Sequence, residues 1–290
     1  MVEFSPAAKD QILSISPRDS YKGYTIPASL AILRKYVSEK SRNATSRPHL
    51  KLSPVLRTLR DNEFLATLLA DCEEWLKFYY FSSIYRASLY ADEVVTGFNN
   101  RALLRVPLAT RALFELFLYT YHVYNTLYQR HKEVKAVAPH KAHDAIAITI
   151  KERDFLMKQA AATRVNWDDP FGAAWHRVRD DIRQTNILSV VQKLPLAQRE
   201  KVERWYALLS DACHPNYGST LFVLDHDQVT TDLQPLFAFT RSTGPSHLQL
   251  VVDLVTAPLG FACDQLVRFL GVLERVLAMY RDGVVRFQDP

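Results

Sequence analysis

Between Arg199 and Tyr217 the chain carries side chains whose spacing could support proton-transfer chemistry. Glu203, Tyr206, Ser210 and His214 follow at intervals of three, four and four residues, which places them along one face of a helix. The helix must stop at His214, because the residue before a proline is pushed out of the α region. An imidazole at that end can serve as general acid or base near neutral pH. The partial negative charge of the last carbonyls there favours its charged form. The same pattern also fits a capping histidine beside a tyrosine that satisfies a hydrogen bond in the core.

A second group lies on an earlier segment. Arg111 and Glu115 are four residues apart and His122 follows seven beyond Glu115, all on one helical face. Leu113, Phe114, Leu116, Phe117 and Leu118 surround them with apolar side chains. A carboxylate in that setting must be paired or neutral, since an unpaired buried charge costs several kcal/mol. Two arrangements satisfy this. Arg111 and Glu115 form an internal structural ion pair, or they line a polar pocket with groups from another helix.

The elements that would position these residues are helical. Residues 1–52 read as an N-terminal arm with one short helix beginning near Thr25 and Pro27, packed on the rest of the chain or on a partner, or else solvated. Residues 53–290 read as a helical bundle domain. Ser53-Pro54 opens a helix toward Leu69. A second, tyrosine-rich helix covers Asp71 to Asn99, and a third runs from Arg101 to about Lys135. Pro107 kinks that third helix or marks its true start. Further helices are expected over 141–164, 171–184, 187–193 and from Pro195 to His214. A short β-hairpin is expected between Ser219 and Thr240, where the period shifts toward two around Asp225-His226-Asp227. A last helix over 247–281 presents a long apolar stripe, bent at Pro258 and Gly260. The predicted fold class is all-α: a helical bundle with one short hairpin insertion.

Composition narrows the function classes. Only 8 glycines in 290 residues argue against a glycine-loop nucleotide-binding fold. A net charge of +5 with pI near 9.0 is compatible with an anionic partner without requiring one. Cys72, Cys213 and Cys263 lie far apart, with neither a disulfide framework nor a metal-binding pair, so a reducing cytoplasm is the expected location. His140 and His143 lack a third ligand at a defined spacing, and no metal or cofactor is expected. The start of the chain lacks the basic and apolar regions of a signal peptide. Glu115 and His122 interrupt the apolar segment of the third helix, and no membrane span is expected. Arg177, Arg179 and Arg183 near Trp175 and His176 could touch RNA, although Asp180 and Asp181 make a solvated face the plainer reading.

A helix bearing Arg111-x-x-x-Glu115, joined later by one bearing Tyr206-x-x-x-Ser210-x-x-x-His214-Pro215 and a short hairpin, resembles the HEPN-like helical superfamily over roughly residues 71–280. The closer likeness is to a prokaryotic branch marked by the Arg-x-x-x-Glu and Ser-x-x-x-His-Pro motifs. The resemblance implies a metal-independent endoribonuclease of a prokaryotic defence or toxin–antitoxin system, acting on RNA as a homodimer. A non-catalytic HEPN-like module that binds protein or nucleic acid is the alternative. The superfamily's usual arginine, followed by four to six residues and histidine, is absent before His214, where Ala207, Leu208 and Leu209 stand. Arg42 with His49 and Arg241 with His247 match that spacing, as chance alone would produce in so basic a chain. Arg111 is expected to substitute in space. In this scheme His214 is the acid or base, Arg111 holds the phosphate, Glu115 orients Arg111, and Tyr206 and Ser210 position His214 or the substrate.

Overall fold

The computed structural model describes residues 1–40, 61–136, 142–161, 171, 173, 185–214 and 245–288. Among the described residues all regular structure is helical: α1 (Pro6–Ser14), α2 (Ile26–Lys40), α3 (Asp61–Asn99), α4 (Arg105–Ala136), α5 (Ala142–Ala161), α6 (Ile187–Val191), α7 (Leu196–Cys213) and α8 (Pro245–Gln288). The hairpin expected over 219–240, the helix expected over 171–184 and the Ser53-Pro54 helix start lie outside the described residues.

Local chemistry accounts for most helix ends. α7 begins after Pro195 and stops at His214, whose ψ of 151° is the extended conformation that the following proline demands. Pro107 sits in the first turn of α4, where its missing N–H breaks no intrahelical bond, so it marks the start rather than a kink. The break expected near residue 70 does not occur, and α3 is one helix of 39 residues. Leu69-Ala70-Asp71 contains no glycine or proline, and the Asp71 carboxylate bonds to Arg153 instead of capping a helix start. The N-terminal segment holds two helices where one was expected. Ser5 accepts from the Ala8 N–H at 3.2 Å and Pro6 follows at the first helical position, which makes α1.

The chain divides into two compact units. The first comprises residues 1–40, 84–118 and 191–267. Its core gathers Phe114 and Phe117 of α4, Trp205 of α7 and Phe261 of α8. The Phe117 and Phe261 rings meet edge-on at 5.2 Å, and Trp205 lies 5.3 Å from Phe261. Rings this size dominate burial energy, and truncating one to alanine costs about 3–5 kcal/mol. Gly97 lets α3 and α4 approach closely at their turn: a Cβ there would stand 2.8 Å from Val106 Cγ2. The extreme N-terminus is tied in by hydrogen bonds. The Ser5 N–H donates to Asn99 Oδ1 at 2.8 Å, and the buried Arg34 donates to Asp92 at 2.7 Å and to the Val2 carbonyl. Residues 1–40 therefore pack as part of this unit.

The second unit comprises residues 41–83, 119–190 and 268–290. Leu65, Leu68 and Ile146 form a small apolar cluster between α3 and α5. Beside it runs a buried polar network: Arg153 to Asp71 at 2.5 Å, the Tyr280 hydroxyl to Glu152, and the Cys72 thiol to the Thr149 carbonyl at 3.8 Å. His122 is buried here, with its ring edge-on to Phe155 at 5.4 Å.

The sequence reading placed the best membrane candidate in the third helix. Residues 245–281 of α8 are in fact long and apolar enough to cross a membrane by length and composition. In this protein 72% of that helix's most apolar window is buried, as in the core helix of a folded domain.

Candidate functional site

The two segments singled out by spacing meet in the first unit. On α4, Arg111 Nε donates to Glu115 Oε1 at 3.0 Å, the i,i+4 geometry that a helix provides. From α7, the Tyr206 hydroxyl donates to the same carboxylate oxygen at 3.2 Å and accepts from Arg111 Nη2 at 3.5 Å. The guanidinium also lies 5.6 Å from the Tyr206 ring centroid, within cation–π range. The arrangement is a closed three-way network. It is half-open to water, with the Arg111 and Glu115 side chains 22% and 32% exposed. Burial disfavours the charged guanidinium, but the Tyr206 hydrogen bond and the Glu115 carboxylate more than offset it, leaving Arg111 above its ordinary pKa.

A fourth member was not anticipated. The Arg111 guanidinium also interacts with the Cys213 side chain. Burial raises that thiol above its usual pKa, and Arg111 pulls it partway back. The signal was present, since Tyr206 and Cys213 are seven residues apart and share a face of α7.

The remaining predicted residues stand apart from this network. His214 caps α7 through its backbone N–H, which donates to the Ser210 carbonyl at 3.1 Å. Its side chain is exposed and forms no hydrogen bond or ion pair among the described residues. The Ser210 hydroxyl is buried and has no hydrogen-bond partner among the described residues. Tyr206 thus positions Arg111 and Glu115 rather than His214. Glu203, the first residue of the stripe, accepts from Gln192 at 2.6 Å. His122 does not join Arg111 and Glu115, because its place is in the second unit's core. Arg42, His49, His140, Asp225, His226, Asp227, Arg241 and the basic stretch 175–183 lie outside the described residues. Among the described residues, no three His, Cys, Asp or Glu side chains gather as metal ligands.

No family model matches the chain, and no curated protein or solved structure is significantly similar to it.

Proposed function

We propose that this chain is a HEPN-like protein of a prokaryotic defence or toxin–antitoxin system that acts on RNA in the cytoplasm. The observation that supports this reading is the meeting of Arg111 and Glu115 with the α7 segment that ends at His214. The same guanidinium pulls down the pKa of the Cys213 thiol, next to His214, against the upward push of burial. On this reading the chemistry is phosphodiester cleavage by the RNA's own 2′-hydroxyl. His214 takes the proton of the RNA 2′-hydroxyl, the 2′-oxygen attacks phosphorus, and the 5′-oxygen departs with a proton from solvent or a second acid. Arg111 holds the phosphate oxygens and offsets charge in the transition state, with Glu115 and Tyr206 fixing its orientation. On this reading the chain works as a homodimer, a state that light scattering on the purified protein measures directly.

A second reading, RNA binding without cleavage, is favoured by one feature of the network. Arg111 Nε and Nη2 are already engaged by Glu115 and Tyr206, so a phosphate must compete for the guanidinium. One experiment separates the two. Purified protein is incubated with total RNA, and cleavage and filter binding are measured for the wild type, His214→Ala and Arg111→Ala. Cleavage lost in both variants with folding intact supports the enzyme. Binding lost only in Arg111→Ala, with no cleavage by any form, supports the binding module. Neither activity in the wild type removes both readings.

A further inference from the structure

We propose that the first unit holds a separate binding site for a small amphipathic carboxylate, in a cavity framed by α1, the α3–α4 turn and the first turns of α8. The cavity measures about 280 Å³, at the lower end of the size that takes small ligands. Its lining is more apolar than polar, with Phe98, Leu103 and Leu248 beside Gln11, Ser14 and Gln249. Arg101 is the only charged residue among those described as lining it. The guanidinium makes no ion pair or hydrogen bond among the described residues, so its fork is available to an incoming anion.

The backbone at Arg101 strengthens the case. Its φ of 52° lies in the left-handed region, at the end of α3 where its N–H donates to the Phe98 carbonyl at 3.2 Å. Glycine or asparagine is the usual occupant of such a helix-ending position. For a residue that carries a Cβ this conformation costs roughly 1–2 kcal/mol. The chain carries arginine at the strained position whose side chain lines the cavity, and strain of this kind concentrates at sites of function.

Ligand class follows from charge and shape. A single guanidinium matches a single carboxylate in a two-bond fork, whereas a phosphate dianion would bring excess charge. Gln249 spends its amide N–H on Asp253 at 3.0 Å and the Ser16 carbonyl at 3.5 Å. Its carbonyl oxygen accepts nothing among the described residues and can take a hydroxyl or amide of the ligand. The apolar walls ask for a short acyl or aryl body. This site shares no residue with the Arg111 network and does not depend on the RNA reading.

The test uses the full chain with sodium octanoate, octanamide and sodium acetate as probes, by titration calorimetry and thermal shift. Octanoate should bind and raise Tm, with octanamide and acetate each weaker by about tenfold or more. Arg101→Asn tolerates the left-handed backbone, so its Tm without ligand should not fall, while octanoate affinity drops by about tenfold or more. Leu248→Trp fills the cavity and should abolish binding with Arg101 still in place. The proposal is overturned if octanoate gives no heat or shift at millimolar concentration, if Arg101→Asn binds it as well as the wild type, or if Leu248→Trp leaves binding unchanged.

Discussion

Two arginine–carboxylate pairs, one in each unit, obey different physics. Arg153 and Asp71 in the second unit are 5% and 3% exposed, 2.5 Å apart, and flanked by Cys72, Thr149 and Glu152. Arg111 and Glu115 in the first unit are 22% and 32% exposed and share a tyrosine hydroxyl. The sealed pair is committed to the fold, since stripping water from either charge is tolerable only while the other stays. The half-open pair holds its charges in contact with solvent, where their net worth to stability is small and a ligand can still compete. A charged pair on an apolar helix is therefore a functional candidate only where water reaches it.

The sharpest way to break this contrast is to remove one member of the sealed pair. Arg153→Ala takes the guanidinium away from the buried Asp71 carboxylate and should cost about 3–5 kcal/mol. At this size that is a fall in Tm of roughly 10 °C by calorimetry. A loss near zero would mean the pair is not sealed from water.

The same network supplies a pH signature. Burial pushes the Glu152 carboxyl up to about 7, with Arg130 pulling it back. Tyr280 and Cys72 also meet it. The folded protein therefore holds a proton that the unfolded chain releases at about 4.5. The contribution of Glu152 to stability is fully present below that pH and is lost as pH rises toward 7, by on the order of 3 kcal/mol. Glu152→Gln should flatten this slope in urea unfolding measured from pH 4.5 to 8. A wild-type curve that rises over that window would refute the assignment.

The half-open pair predicts the opposite balance. Arg111→Ala should cost about 1 kcal/mol or less in stability, because both side chains are partly hydrated. It should nonetheless remove RNA cleavage or binding. A destabilisation as large as that of Arg153→Ala would erase the distinction between the two pairs. The smallest effect is expected for His214→Ala, within about 0.5 kcal/mol in chemical denaturation, since the exposed ring makes no hydrogen bond or ion pair among the described residues.

Spacing alone determined a good deal of this protein. Apolar periodicity laid out the long helices, Pro215 set the end of α7, and the four-residue step between Arg111 and Glu115 put them on one helical face. These are local consequences of helical geometry and backbone sterics, and they hold whatever surrounds them. The start of α1 was equally local, written in Ser5-Pro6, and was missed because serine and proline also mark loops.

Tertiary structure decided the rest. Asp71 and Arg153 are 82 residues apart, and nothing in either segment's periodicity names the other. Helical phase put His122 beside Glu115, yet packing buried it in the other unit. Helical phase also strung Tyr206, Ser210 and His214 on one stripe. Only packing sent the tyrosine to Glu115, left the serine hydroxyl without a partner among the described residues, and brought Cys213 to Arg111. A helix repeats every 3.6 residues and so dictates which side chains share a face. Which neighbour that face meets, and whether water reaches the contact, depends on burial across the whole chain.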